Sequence, residues 1–338
     1  MSPVPSPAVL RALAEVPVAP HEVIECVPLA GGTYNSVVRV VLRDGRRWVV
    51  KVAPATGPQS ALGYELDLLR GERTYFRAAA DGVPGAPVPH VVRAETAGDP
   101  PVVRSLVMTE CPGRPWHDAD QTLEPDERRR LRRELGALTA RLHAVTGPVF
   151  GYPARPFGPP HPTWRQTFTA MTDAVLHDAT RFGARLPQPV PTVRRILASA
   201  GAALDDVTRP ALVHFDLWQG NILLAGAPGA RVVAGVVDGE RMFWGDPVAE
   251  FVSLALFDDI EHDDAFLDGY SAAGGEAGFT DSVRLRLDLY RCYLCLIMLV
   301  EGTPRGYSRE QRTWVWKHAG GHLAKALHAV SAAVAGTP

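Results

Sequence analysis

The first third of the chain reads as strands. β-Branched and aromatic residues gather in short runs, Glu22 to Val27, Val37 to Val41, Arg47 to Ala53 and Val102 to Met108, separated by polar or glycine-bearing turns. That composition suits a pleated, half-buried surface. Asp44-Gly45, between the second and third runs, predicts a tight hairpin. A short helix is predicted over Pro7 to Glu15 and a longer one over about Ser60 to Ala80, followed by an apolar run from Val88 to Val92. After Pro115 the period changes. Leu131, Leu135, Leu138 and Leu142 recur at helical spacing in a segment opened by Pro125-Asp126-Glu127, with acids in the first turn as the helix dipole favours. Thr163 to Leu186, Pro247 to Phe257, Ser282 to Val300 and Gln311 to Val334 predict further helices. The class is α+β, with no internal repeat and no long linker.

One stretch of the helical part breaks this pattern. Leu212-Val213-His214-Phe215-Asp216-Leu217-Trp218-Gln219-Gly220-Asn221-Ile222-Leu223-Leu224 sets a polar centre between apolar flanks, and the apolar run Val232 to Val237 then stops at Asp238. This reads as strand, loop, strand and carboxylate. Asp216 and Asn221 stand at the two ends of one tight loop, so a single excursion of the backbone sets a base beside an amide oxygen. Asn221 and Asp238 offer the hard oxygens that Mg²⁺ prefers. Transfer of a phosphoryl group from a nucleotide needs this set of parts. The plainer alternative is a turn between two strands, with His214 and Asp216 as turn residues. Lys51 lies deep in an apolar run, where a charge is rarely found without a partner. In a kinase it would reach the α- and β-phosphates and be held by a Glu on the next helix. The alternative is an edge-strand Lys facing solvent. Glu65 and Glu72 are both candidates for the partner. The segment Leu69 to Phe76, leading into Val88-Pro89, resembles a kinase family in which a Glu-bearing helix runs into a Val-Pro strand, and that resemblance favours Glu72.

These residues resemble the aminoglycoside phosphotransferase family, in the kinase-like superfamily that also holds choline, fructosamine, homoserine and methylthioribose kinases. The resemblance is most specific from Leu212 to Phe251. It implies a bilobal, protein-kinase-like fold, with an N-terminal antiparallel sheet plus helix and a mostly helical C-terminal lobe. Residues 1–110 would form a nucleotide-binding lobe, and 111–338 a catalytic and substrate-binding lobe. It further implies ATP and Mg²⁺ as cofactors, Asp216 as the catalytic base, and Asn221 and Asp238 as metal ligands. The loop bearing Gly31, Gly32, Thr33 and Ser36 would lie over the phosphates, with Lys51 and Glu72 behind it. The adenine would bond to backbone at the hinge beginning at Glu110. Asp246, in a Gly-Asp-Pro triplet, resembles the family's buried Asp that braces the catalytic loop. The chain departs from the pattern at Gly239, where an aromatic or aliphatic residue is often found.

Composition narrows the reading further. A formal net charge of -2 argues against a general nucleic-acid binder. Cys26, Cys111, Cys292 and Cys295 are too few and scattered for a disulfide scaffold, and Cys292 and Cys295 lie in an apolar helical stretch that suits buried thiols. His318 and His322 are one helical turn apart, but no third metal ligand is evident, so they read as surface histidines. The N-terminus lacks the pattern of a signal peptide, and no apolar run is long enough to span a bilayer. The expectation is a cytoplasmic enzyme, monomer or homodimer, with no nucleic-acid or membrane partner.

Phe215 stands where many protein kinases carry an Arg that pairs with a phosphorylated activation loop, and there is hardly any chain between Asp238 and Asp246. A small-molecule hydroxyl acceptor is therefore expected. Acids crowd after the loop, among them Asp258, Asp259, Glu261, Asp263 and Asp264. An acidic cleft concentrates cations, which points to a cationic acceptor such as an aminoglycoside or a basic peptide antibiotic; the plainer alternative is that Phe257 to Asp264 is an ordinary solvated loop. A metabolic sugar or amino-alcohol kinase and a nucleotide-binding pseudokinase module are the alternatives.

Overall fold

The computed structural model of the protein describes residues 6–14, 16, 18–29, 34–54, 61–98 and 102–336. Its N-terminal part is a five-stranded antiparallel sheet of β1 (Val23–Pro28), β2 (Ser36–Leu42), β3 (Arg47–Val52), β4 (Val91–Ala97) and β5 (Val102–Thr109), in the order β1-β2-β3-β5-β4. The expected Asp44-Gly45 turn joins β2 to β3, with Gly45 at φ 87°, a conformation that favours glycine. Helix α1 (Pro7–Ala14) covers one face, burying Val9, Ala12 and Leu13 against Trp48, Val50 and Val107. Strand residues alternate between faces. Lys51 therefore points to the other side, towards α2 (Leu68–Gly82). β3 is a central strand, Lys51 pairing with Val37 on one side and Leu106 on the other. That removes the solvent-facing edge alternative.

Helix α2 starts later than the apolar pattern suggests. Gly63–Glu65 form a single 3₁₀ turn, and Asp67 is left-handed at φ 57°. In this conformation its carboxylate accepts the backbone N–H of Val103 at 2.9 Å and Arg70 Nε at 2.7 Å, tying the helix start to β5. β4 likewise begins at Val91, because Pro87 and Pro89 have no N–H for the ladder.

After β5 the chain becomes mostly helical. β6 (Arg114–Pro115) and α3 (Trp116–Ala119) lead into α4 (Pro125–His143), α5 (Trp164–Arg181) and α6 (Val190–Ser199). Four short strands follow: β7 (Ala211–Val213), β8 (Ile222–Ala225), β9 (Val232–Val236) and β10 (Phe243–Gly245). They form two small sheets, β6-β8-β9 and β10-β7. The closing elements are α7 (Glu250–Leu254), α8 (Asp264–Ala272), α9 (Asp281–Val300), α10 (Arg309–Val315) and α11 (Gly321–Ala335). The helix predicted over Pro247 to Phe257 is a 3₁₀ turn followed by the short α7, and the closing helix predicted from Gln311 begins at Arg309. A Ser308–Gln311 capping box fixes that start, and a π turn at Trp316–Gly320 joins α10 to α11. α9 is the buried axis, with Tyr290, Cys292, Tyr293 and Cys295 in the core. Burial raises both thiols above their ordinary range. Among the described residues, no helix is long and apolar enough to cross a membrane.

Candidate active site

Strands β7 and β8 bracket the loop from His214 to Asn221. Its backbone is strained: Phe215 sits at φ 61°, a left-handed conformation that costs roughly 1–2 kcal/mol for a non-glycine residue. Burial and hydrogen bonding hold it there. The Phe215 ring is buried and packs on Phe243 and Tyr293, with ring centroids 5.0 and 5.6 Å away. The carboxylate of Glu250 accepts the N–H of His214 at 2.7 Å and of Phe215 at 2.9 Å, and Ser253 Oγ accepts that of Leu217 at 3.0 Å. The His214 imidazole spans the same loop: Nδ1 accepts the N–H of Asp216 at 3.2 Å, leaving Nε2–H to donate to the Val237 carbonyl at 3.0 Å. His214 thus orders backbone through both ring nitrogens.

This corrects the reading of Asp246. Its carboxylate accepts Arg286 Nη1 at 2.5 Å, the Tyr290 hydroxyl at 2.7 Å and the N–H of Val248 at 3.1 Å. It ties the chain to α9, while Glu250, one turn further on, braces the loop. Sequence reasoning missed Glu250. An acid within Val248-Ala249-Glu250-Phe251-Val252 was the available signal, because a charge in an apolar helical run needs a partner.

Asn221 Nδ2 donates to the Asp216 carbonyl at 2.8 Å and to Asp216 Oδ2 at 3.2 Å, which leaves Asn221 Oδ1 to face a cation. Asp216 Oδ1 lies 3.9 Å from Arg241 Nη1. Burial, reinforced by Asp238 and opposed by Arg241, raises the Asp216 carboxyl above its ordinary value. Arg241 is held from behind by Glu301, Nη2 to Oε2 2.9 Å, and Glu301 and Glu65 both pair with Arg305, at 3.4 and 2.6 Å. Glu65, the rejected candidate for the lysine, belongs to this chain of charges.

The lysine lies across the loop. Lys51 Nζ is 2.8 Å from Glu72 Oε1 and also bonds Asp238 Oδ1. Burial alone would lower the ammonium, but Asp238 and Glu72 hold it above its ordinary value. Asp238, left-handed at φ 65°, closes β9, and Val237 N–H donates to the Asn221 carbonyl at 3.0 Å, so Asn221 and Asp238 sit side by side. Glu72, Asp238 and Glu240 each present an oxygen within 4.8 Å of the others, the one such cluster among the described residues. Neither His318 nor His322 belongs to it: His318 Nδ1 bonds the Trp314 carbonyl at 2.8 Å and its ring stacks on Trp314. Burial and the charge of Asp238 push Glu72 up to about 7 and Glu240 up to about 8, with Lys51 opposing both. Crowded carboxylates of this kind, with Asn221 Oδ1 beside them, fit a hard divalent cation.

The departure at Gly239 has a packing cause. A Cβ there would lie 2.8 Å from the Tyr75 ring, and a Cβ on Gly71 would lie 2.9 Å from the Glu240 carbonyl. Two glycines let α2 settle against the Asp238 turn, which carries Glu72 to Lys51.

Of the phosphate loop, Ser36 opens β2 and is exposed, while Gly31, Gly32 and Thr33 lie outside the described residues. Glu110 follows β5. Its N–H donates to the Arg47 carbonyl at 3.0 Å and its carboxylate pairs with the Arg47 guanidinium. Its carbonyl accepts no bond among the described residues. The acids after the loop are mostly engaged. Glu261 pairs with Arg284 at 2.8 Å, Asp263 with Arg132 at 2.5 Å, and Asp259 caps the N–H of Glu261 at 3.0 Å.

The model of the phosphotransferase enzyme family matches residues 25–288, bearing out the resemblance seen from Leu212 to Phe251. A comparison with curated proteins found no match. Among solved structures, a proposed fructosamine-3-kinase from Thermobifida fusca YX-ER1 superposes with TM-score 0.68 at 22% identity, covering 98% of this chain and 100% of its own. The aminoglycoside phosphotransferase APH(4)-Ia superposes with TM-score 0.62 at 16% identity, covering 95% of this chain and 98% of its own. APH(2")-IIa in complex with gentamicin gives TM-score 0.62 at 16% identity, covering 94% and 97%. The expected protein-kinase-like α+β fold is the fold these structures share.

Proposed function

Because the chain belongs to the phosphotransferase enzyme family, we propose that it transfers the γ-phosphate of ATP to a hydroxyl of a small molecule, with Asp216 as the base. The observation that carries this is the meeting of Lys51, held by Glu72, with Asp238 beside the loop of Asp216 and Asn221.

In this reading residues 1–110 hold the nucleotide and 111–338 hold the acceptor. Lys51 orients the α- and β-phosphates, the loop of Gly31, Gly32, Thr33 and Ser36 covers them, and the free carbonyl of Glu110 meets the adenine. Asn221 and Asp238, with Glu240 near by, would hold Mg²⁺. When bound, that ion neutralises charge on the phosphates. Asp216 orients the acceptor hydroxyl and takes its proton late, since phosphoryl transfer depends on positioning more than on a strong base. Burial raises its carboxyl above the ordinary value, which makes the carboxylate a stronger base. An ATP-using enzyme of this kind suits the cytoplasm expected from the sequence.

The aminoglycoside reading draws support from the gentamicin, streptomycin and hygromycin B bound to structures of similar fold. The acidic stretch from Asp258 to Asp264 no longer adds to it, because its carboxylates are largely committed to arginines and caps. ADP release from Mg-ATP, measured over amino, neutral and acidic hydroxyl compounds beside Asp216→Ala, tests the reaction. Turnover abolished in the variant is expected; turnover that survives it removes Asp216 from the chemistry.

A further inference from the structure

The C-terminal end of α9 and the start of α10 line an open cavity of about 590 Å³ against the residues that follow α5. That volume lies in the range of roughly 300–1,000 Å³ usual for small-molecule pockets. Its wall includes Arg185, Arg309 and Arg312, together with Tyr307 and Trp316, and no acidic residue lines it.

Most arginines elsewhere in the chain are committed to carboxylates, as Arg241 is to Glu301 and Arg305 to Glu65. These three are not: none has an ion-pair partner among the described residues. The Arg185 guanidinium lies 3.8 Å from the centre of the Trp316 ring, a stacking that orients it. Arg312 donates through Nε to the Tyr307 carbonyl at 2.8 Å, which leaves both its terminal nitrogens unused. The π turn Trp316–Gly320 begins at this wall, and such turns are frequent at functional sites.

A relay of side chains links the cavity wall to Asp216. Gly302 and Thr303, in that wall, directly follow Glu301. The Tyr307 hydroxyl donates to Glu301 Oε1 at 3.1 Å, Glu301 Oε2 holds Arg241 at 2.9 Å, and Arg241 stands 3.9 Å from Asp216. Glu301 and Glu65 are already neutralised by Arg241 and Arg305. The unspent charge in the cavity wall itself is positive.

Resting on the phosphotransferase reading, we propose that the cavity is an oxyanion subsite of the acceptor site, where Arg185, Arg309 and Arg312 hold a phosphate or carboxylate group of the compound phosphorylated at Asp216. Guanidinium groups match the planar geometry of such oxyanions and bind them through paired N–H bonds.

The test uses the full chain saturated with the Mg complex of a non-hydrolysable ATP analogue, so that all three phosphate positions of the nucleotide are filled. Wild type and the double variant Arg309→Gln, Arg312→Gln are titrated with inorganic phosphate by calorimetry, with affinity for that analogue as the control for folding. The wild type is expected to bind phosphate saturably, and the variant at least tenfold more weakly. Equal affinity in the two, or no saturable binding by the wild type, overturns the subsite. In the ADP-release panel, each hydroxyl compound is paired with its phosphorylated or carboxylated counterpart. Turnover is expected in the anionic members, with a tenfold or greater rise in acceptor KM in the variant. An amino or neutral compound turned over with the same KM by both proteins also overturns it. Failure of the reaction reading registers separately, as ADP release that survives Asp216→Ala, and leaves the phosphate titration to decide the subsite.

Discussion

Glu250 Oε1 accepts the backbone N–H of Phe215 at 2.9 Å while Oε2 accepts that of His214 at 2.7 Å, so one buried carboxylate holds a strained turn immediately before the proposed base. Burial would raise this carboxyl, but His143 and His214 keep it below its ordinary value. Glu250→Ala leaves two buried N–H groups unpaired, at about 1–3 kcal/mol each, and releases the left-handed Phe215. We expect thermal unfolding at lower temperature and kcat reduced at least tenfold, with the KM for ATP changed much less. A variant as active as wild type would show that the brace is dispensable.

Asp216→Asn preserves shape and the contact with Asn221 but removes the proton acceptor. Proton transfer by a positioned side chain is worth roughly 10²–10⁴ in rate. We expect kcat to fall within that span while nucleotide affinity, measured by calorimetry, stays near wild type.

Arg241 opposes the burial that raises the Asp216 carboxyl. Arg241→Ala should therefore move the acidic limb of the kcat/KM pH profile to higher pH. It also leaves Glu301 with one guanidinium fewer, and breaking a buried pair costs about 3–5 kcal/mol. An unmoved limb in a folded variant would separate Arg241 from the titration of Asp216.

Glu72 and Glu240 have carboxyl groups pushed up to about 7 and about 8 from an ordinary 4.5. A carboxyl whose pKa is higher folded than unfolded holds its proton in the folded state while the unfolded chain has released it. Folding stability is then lost as pH rises from about 4.5 to the folded value. The ligand-free protein should unfold more easily at pH 8.5 than at pH 6. Glu240→Gln, which can still accept the 2.7 Å bond from Asn35 Nδ2, should flatten that slope. Mg-ATP binding near pH 7.5 should release protons, read by calorimetry in buffers of different ionisation enthalpy.

Gly239→Ala places a methyl group 2.8 Å from the Tyr75 ring, in a fully packed region. Overpacking of this kind costs about 1–3 kcal/mol. Combining it with Tyr75→Leu should cost less than the sum of the single changes, since the two side chains compete for one space; additive losses would deny that competition.

Much of this architecture is visible in the chain itself. The strand runs, the Asp44-Gly45 hairpin and the leucine spacing of α4 are local patterns, and local backbone preference decides them. So is the core of the candidate site, because Asp216 and Asn221 share one loop and Asp238 ends the next strand. The choice of Glu72 over Glu65 was reached by resemblance, and the structure supplies its reason: Gly71 brings α2 against the Glu240 carbonyl, which sets Glu72 against Lys51.

Other relationships join residues far apart in sequence, and spacing does not encode them. Asp246 and Glu250 are two acids one turn apart in a helical segment. Which of them meets the loop depends on α9, whose Arg286 and Tyr290 claim Asp246 and leave Glu250 for the N–H groups of His214 and Phe215. The acids from Asp258 to Asp264 read as a cation-attracting run until Arg132 of α4 and Arg284 of α9 are brought beside them. By itself the sequence determined which groups with the chemistry of phosphoryl transfer are present and the local turns that carry them. Only the tertiary structure decided which charges are spent on one another and which stay free for a ligand, because an ion pair is a property of distance and burial in the folded state.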